Sequence, residues 1–361
     1  MSELDPLKPL RSQIDAMDDR LVALLNERSA IVLEIGKIKK SKNSHFHTPA
    51  REQSIYDRLI ANNPGPFPNE SLKHVFREIM GGSLSLEKVL QVAYLGPEAT
   101  FTHQACLQRF SASVQTIPVN SIKAVFEAVE RGQADFGIVP VENAIEGIVN
   151  HTLDLFVNSN LLIYGEVLQE VSHSIMSKTG KKEEIRRILS HPQAIGQCHR
   201  FLATNFKEAE MIDTTSTAMA AQMAMMDPST AAIASTLAAR LYGLTIIEEK
   251  IEDYVNNVTR FLVISQKASE RTTRDKTSLL LSIKDQSGAL HALLEPFAKQ
   301  GINLMKIESR PSKKKAWEYL FYIDIAGNQE EEKIATVLKA IAKDALYLKV
   351  LGSYPMAEVA K

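Results

Sequence analysis

Near the start of the chain, Leu7, Leu10, Ile14, Met17, Leu21, Leu24, Arg28, Ile31, Ile35 and Ile38 follow one another at alternating intervals of three and four. That spacing is the signature of one amphipathic helix with an unbroken apolar stripe. At 1.5 Å per residue, Leu7 to Lys40 runs roughly 50 Å, longer than a small domain is wide, so a second chain is expected to cover it. Pro49 suits the first turn of a second helix through Asn62. The stretch Asn62-Asn63-Pro64-Gly65-Pro66-Phe67-Pro68 breaks that helix, and Asn69 can cap a third to about Leu90. Residues 1 to 90 thus read as an all-α helical bundle.

From Gln91 the period changes. Short apolar or β-branched runs (Val92 to Leu95, Phe136 to Val141, Leu161 to Gly165, Ala231 to Ser235, Phe261 to Ser265) alternate with helical stretches, the βαβ rhythm of a largely parallel sheet. This α/β block ends near Lys267, and the polar segment Ala268 to Lys276 reads as a linker. The remainder alternates as strand, helix, two strands, helix, strand, which is the α+β ferredoxin-like βαββαβ unit. The chain is therefore multidomain, with expected boundaries at 1–90, 91–267 and 277–361, in keeping with 361 residues at about 150 per domain.

Composition removes several classes. Forty-two Lys and Arg against 43 Asp and Glu give a net charge of −1, which offers no global attraction to nucleic acid or an anionic bilayer. The longest runs without a charged residue, Phe110–Ile122 and Thr214–Met226, are 13 residues, short of the roughly 18 needed to span a membrane. The acidic start lacks the features of a secretory or transit peptide. Cys106 and Cys198 have no metal-ligand spacing, and on a helix Cys198 and His199 point about 100° apart. A cytoplasmic protein without metal or cofactor is expected.

Arg28 interrupts the apolar stripe, and a guanidinium there must be paired or bind something. Lys39, 11 residues on, returns to within about 20° of it, whereas Arg11, 17 residues earlier, lies about 100° away and serves another site unless it reaches a partner chain. On the second helix Arg51 and Glu52 precede Ile55 and Tyr56. On the third, Ser83 and Glu87 continue the stripe of Phe76, Ile79 and Met80. An interhelical ion pair is the plain alternative, but polar groups recurring at core-like positions suit a small dianion held without nucleophile, base or metal. A pericyclic rearrangement needs only a locked conformer and charge stabilisation. Residues 5 to 90 resemble the all-helical, type II chorismate mutase domain. The resemblance implies that Arg28, Arg51 and the other subunit's Arg11 hold the two carboxylates of chorismate. Lys39 would meet the ether oxygen, Glu52 the hydroxyl, and Ser83 would line the pocket. Thr48 stands where many relatives have Asp. Glu87 stands where many have Gln, and it can donate to the ether oxygen only when protonated, which calls for a raised pKa.

In the α/β block, polar residues gather at βα junctions: Gly96 to Thr102, Pro140 to Gly147, Ser190 to Gln193, Thr215-Ser216-Thr217 and Asn257 to Phe261. Each alone reads as a cap or turn; together they suit an anion. Their order resembles prephenate dehydratase, which implies two α/β lobes hinged like a periplasmic binding protein with prephenate between them. By that resemblance Thr259 hydrogen-bonds or protonates the leaving hydroxyl, and Arg260 and Phe261 hold and shield the substrate. Asn143, Gln193, Thr215, Ser216 and Thr217 would contribute hydrogen bonds. Threonine is a very weak acid, so Glu142, if burial raises its pKa, is the alternative proton source.

The last block has no titratable cluster that proposes a reaction. Gly288-Ala289-Leu290-His291-Ala-Leu-Leu294 and Glu308-Ser309-Arg310-Pro311 resemble the two phenylalanine-binding motifs of the ACT domain, with a plain dimerisation module as the alternative. The three blocks in order resemble the bifunctional chorismate mutase/prephenate dehydratase family. This implies a homodimer or higher homo-oligomer that turns chorismate into prephenate and then phenylpyruvate, with phenylalanine as effector. A dehydratase whose helical domain only dimerises, and a ligand sensor without catalysis, are the alternatives.

Overall fold

The computed structural model describes residues 7–41, 49–284, 286–311 and 319–357, which fall into two compact units. The first holds helices α1 (Leu7–Ser41), α2 (Pro49–Ala61) and α3 (Asn69–Glu87). Contacts between α1 and α3 run in the same order along both helices, Arg28 to Ser83 and then Lys39 to Glu87, so the two lie parallel with α2 returning between them in sequence. Gly36 makes the approach possible, because a Cβ there would sit 2.9 Å from Glu87 Cγ. A glycine within a helix costs roughly 1 kcal/mol relative to alanine, and here close helix packing explains it. The expected apolar stripe lies open to solvent: Leu10, Met17, Leu21, Leu24 and Ile31 are each more than half exposed.

The second unit begins with β1 (Gln91–Leu95), α4 (Phe101–Phe110), β2 (Gln115–Val119), α5 (Ile122–Glu130), β3 (Phe136–Asn143), β4 (Gly147–Ile148), α6 (Asn150–Phe156) and β5 (Leu162–Glu170). The chain then crosses into a second lobe: β6 (Ser174–Ser177), β7 (Arg187–Ser190), α7 (Pro192–Gln197), α8 (His199–Asn205), β8 (Glu210–Asp213), α9 (Thr217–Met226), β9 (Thr230–Ala234), α10 (Thr236–Tyr242) and β10 (Thr245–Glu248). It returns through β11 (Val258–Ser265). The two sheets run β2-β1-β3-β11-β5 and β10-β6-β9-β7-β8.

The sheets are mixed rather than largely parallel. Pairs β1–β3, β7–β8 and β7–β9 are parallel, but the returning β11 inserts antiparallel between β3 and β5. A strand that re-enters a lobe after a whole second lobe need not follow the βαβ direction, and periodicity carries no record of it.

The C-terminal part comprises β12 (Asp275–Ile283), α11 (Ala289–Lys299), β13 (Leu304–Pro311), β14 (Tyr319–Ala326), α12 (Glu332–Asp344) and β15 (Ala345–Pro355), with strand order β13-β14-β12-β15. One sheet face carries Leu279, Leu281, Phe321 and Ile323 against α11 and α12. The other carries Leu280, Leu320, Tyr322 and Tyr354 into the same core as Phe126, Phe156 and Leu262. β12 starts inside the expected linker: Asp275 and Lys276 are buried, tied to Asn328 and Glu166 respectively. Charged residues suggest a linker from sequence, but here Asp275 and Lys276 each have a buried partner.

Candidate active sites

In the helical unit the long side chains of Arg28 and Lys39, 11 residues apart on α1, converge on positions one turn apart on α3. Arg28 Nη1 donates to Ser83 Oγ, whose own proton goes to Ile79 O at 2.7 Å. Partial burial lowers the Arg28 guanidinium from its ordinary value, though an arginine remains charged. Lys39 Nζ reaches Glu87 Oε2 at 3.5 Å, and the Glu87 side chain is only 5% exposed. Arg51 lies exposed in the first turn of α2, with Glu52 beside it and half-buried. Arg11 is about 26 Å from Arg28 along the α1 axis, too far to share a pocket in one chain. Thr48 lies outside the described residues.

In the second unit the two-residue period of a strand divides the Thr259-Arg260-Phe261 stretch. Thr259 lies opposite Asn143, and Arg260 opposite Glu142, so the two pairs occupy opposite faces of the same strand pair. Asn143 Nδ2 donates to Thr259 Oγ1 and to Asn257 Oδ1, each at 2.7 Å, while Asn143 Oδ1 accepts from Ile145 N and Glu146 N, each at 2.9 Å. Both Asn143 Nδ2 protons are engaged and the Thr259 oxygen accepts one of them, which leaves the Thr259 O–H to donate. Phe261 is buried on the Thr259 face.

Arg260 is placed differently from the sequence expectation. It is 7% exposed and turned away from Thr259. Its Nε donates to Glu166 at 2.7 Å, Nη1 to Glu142 at 3.0 Å, and Nη2 to Tyr354 Oη at 2.9 Å; Nη1 also lies 2.7 Å from Asp324 Oδ2. Burial alone would lower the guanidinium, but Tyr354, Asp324, Glu166 and Glu142 outweigh it and raise it. Glu142 is corrected with it. Burial alone would raise its carboxyl, but hydrogen bonds from Lys306 and Arg260 hold it below the usual carboxylate range. A carboxylate so held is ionised at neutral pH and has no proton to give.

The other expected residues lie at helix starts. Ser216 Oγ caps α9 by accepting from Met219 N at 3.0 Å, flanked by exposed Thr215 and half-buried Thr217. Gln193 is exposed in the first turn of α7, which His191 Nδ1 caps. Sequence reading missed Gln197, one turn after Gln193, and His173. Gln197 Nε2 donates to Glu146 at 3.2 Å, and its Oε1 receives Asn257 Nδ2 at 3.4 Å and His173 Nε2 at 2.9 Å. Burial lowers the His173 imidazole against the opposing effects of Gln197 and Glu252, so it is neutral. A hydrogen-bonded chain thus joins His173 and Gln197 to Asn257, Asn143 and Thr259. The i,i+4 relation of Gln197 to Gln193 and the neighbourhood of Asn257 to Thr259 were the signals available.

In the C-terminal part Gly288 adopts φ +80°, where glycine is favoured, immediately before α11, with Ala289 half-buried and Leu290 41% exposed. Glu308 to Pro311 lie on the edge strand β13. Arg310 turns toward the first lobe, 3.1 Å from Asp154 and 2.5 Å from Asn150 O. Ser309 and Pro311 are exposed on the alternate positions.

Family models described as chorismate mutase type II, prephenate dehydratase and ACT domain match residues 10–88, 92–269 and 277–343. A bifunctional chorismate mutase/prephenate dehydratase of Aquifex aeolicus (strain VF5) is 45% identical over 358 residues, 98% of this chain and 99% of the relative. The chain belongs to the bifunctional chorismate mutase/prephenate dehydratase family. As a member it is an enzyme with chorismate mutase and prephenate dehydratase activities, which removes the reading as a sensor without catalysis. Among solved structures, a prephenate dehydratase from Arthrobacter aurescens in complex with L-Phe is 33% identical with a TM-score of 0.68, over 74% of this chain and 90% of that one. A protein described as a quorum quenching acylase, GqqA, has the same TM-score at 28% identity, over 74% of this chain and 98% of that one.

Proposed function

We propose that the helical domain (residues 1–90) rearranges chorismate to prephenate, that the two-lobed domain (91–267) converts prephenate to phenylpyruvate, and that the ACT domain (277–361) binds phenylalanine as a feedback signal. In the mutase pocket Arg28, Arg51 and Arg11 of a second copy hold the two carboxylates, Glu52 holds the hydroxyl, and Ser83 fixes Arg28. Lys39 faces the ether oxygen as charge develops there, with Glu87 beside it. A preorganised cation at such a site contributes roughly 10²–10³ in rate. The exposed α1 stripe and the span from Arg11 to Arg28 both favour a homodimer or larger assembly.

In the dehydratase the leaving hydroxyl takes the Thr259 proton and departs as water while the ring carboxylate leaves as CO2. The electron pair of the carboxylate's C–C bond completes the aromatic ring as the C–O bond breaks, and solvent water returns a proton to the Thr259 oxygen. Asn143 orients the Thr259 oxygen, Phe261 excludes water behind it, and Gln193, Thr215, Ser216 and Thr217 face the substrate's polar groups from the second lobe. The observation that carries this reading is the Asn143 Nδ2 to Thr259 Oγ1 hydrogen bond, which leaves the hydroxyl free to donate. Phenylalanine is held between Gly288, Ala289 and Leu290 of one ACT domain and Glu308 to Pro311 of another, with helix-start N–H groups on its carboxylate. Two free, buried cysteines suit a reducing cytoplasm. The test is to incubate the purified enzyme with chorismate. Prephenate followed by phenylpyruvate is expected, and prephenate accumulating without phenylpyruvate would remove the dehydratase assignment.

A further inference from the structure

We propose that Arg260 is a positioning residue for the Thr259–Asn143 pair, and that the ACT domain governs the dehydratase by holding Arg260 and Glu142 through Asp324 and Lys306. This rests on the reading of Thr259 as the proton-donating group and of phenylalanine as the ACT effector.

Both pairs lie directly across the same two strands: Thr259 opposite Asn143 on one face, Arg260 opposite Glu142 on the other. Adjacent residues share a peptide plane, so a shift of β11 against β3 that alters the ion pair also alters the hydroxyl–amide pair. Arg260 is the junction of a buried network drawn from two domains. Glu142 and Glu166 come from the dehydratase strands, whereas Asp324 and Tyr354 come from the ACT sheet. Lys276 shares Glu166 at 3.0 Å, and Lys306 donates to Glu142. Three cations thus face three carboxylates. Arg260, Glu166, Lys276 and Asp324 form the network's buried part, where losing a partner would leave an uncompensated charge. Glu142 and Lys306 are half-buried, so removal of Lys306 leaves Glu142 partly solvated and still held by Arg260.

The strand that carries Lys306 also carries the proposed effector residues Glu308 to Pro311, and Arg310 fixes the same strand to Asp154. β13 is therefore fastened to the dehydratase domain on both sides of Glu308. The register is irregular at both ends of the connection, between Leu304 and Lys306 on β13 and between Arg260 and Phe261 on β11. Such bulges are where a ladder bends. A ligand shifts an equilibrium only by its differential affinity for the two arrangements, and phenylalanine docking against β13 favours one in which Lys306 and Asp324 hold Glu142 and Arg260 differently.

The test uses the full-length enzyme supplied with prephenate. In Lys306→Met, phenylalanine still binds by calorimetry and uninhibited kcat stays within about threefold, while the half-inhibitory phenylalanine concentration rises at least about tenfold, inside the usual five- to 150-fold range of allosteric coupling. Lys306→Arg restores inhibition, and Asp324→Asn, nearly isosteric, repeats the loss. Inhibition of Lys306→Met at the wild-type concentration overturns the proposal, as does loss of phenylalanine binding, which would make Lys306 a ligand contact. Failure of the wild type itself to bind phenylalanine would instead sink the effector reading. For Arg260→Lys, kcat falls at least about tenfold with KM for prephenate within about threefold; a raised KM at unchanged kcat would return Arg260 to the substrate.

Discussion

The helical site and the strand site in this molecule present their chemistry in opposite ways. On α1 and α3, residues far apart in sequence (Arg28 and Lys39, Ser83 and Glu87) fall on facing stripes because a helix repeats every three to four residues, so cations on an apolar stripe already mark the proposed pocket. On β11, residues adjacent in sequence are divided between two faces, and Thr259 and Arg260 serve different neighbours. A contiguous motif is thus a poorer guide to shared function on a strand than a spaced one is on a helix.

If the two sites are as separate as this contrast implies, single substitutions must split the activities. Lys39→Ala should lower mutase turnover about 100-fold or more while dehydration of supplied prephenate is nearly unchanged, in steady-state assays of each step. A loss below about tenfold (1.4 kcal/mol) would remove Lys39 from the ether oxygen. Thr259→Val preserves shape but deletes the hydroxyl, and should cost the dehydratase about 2.7 kcal/mol, near 100-fold in kcat, with the mutase spared. Normal turnover would show that the proton comes from elsewhere.

Glu142 sharpens the strand side of the comparison. Its carboxyl is held below the ordinary range in the fold, so the stability it contributes is present above its unfolded pKa and lost as pH falls through the lower folded one. The melting-temperature gap between wild type and Glu142→Gln should therefore be widest near neutrality and close on acidification. A gap that stays constant with pH would mean the ion pairs to Arg260 and Lys306 carry little. The smallest effect is expected at Gly36→Ala. Alanine would ordinarily gain about 1 kcal/mol in a helix, but its Cβ meets Glu87 Cγ at 2.9 Å, so the gain should vanish and mutase activity fall about threefold. Stabilisation with full activity would show that α1 and α3 can separate freely.

The domain order, the helical stripe and the βαββαβ unit were legible because each depends on local period. The antiparallel insertion of β11 was not, since it depends on where a chain re-enters a sheet after a whole lobe. Nor was the chain from His173 through Gln197 and Asn257 to Asn143, whose links join residues 24, 60 and 114 apart. The facing of Arg260 was readable in principle from strand alternation, but its partners Asp324 and Tyr354 lie in another domain. Burial of Lys276 was hidden for the same reason, because its carboxylate, Glu166, is 110 residues away.

The central claim, that two independent catalytic sites reside in one chain, is tested most directly by mixing two variants. Lys39→Ala and Thr259→Val should each turn chorismate into phenylpyruvate about 100-fold more slowly than the wild type when assayed alone. An equimolar mixture should restore the conversion, with prephenate made on one variant and consumed on the other. A mixture as slow as its components, with both proteins folded by circular dichroism, would contradict the account.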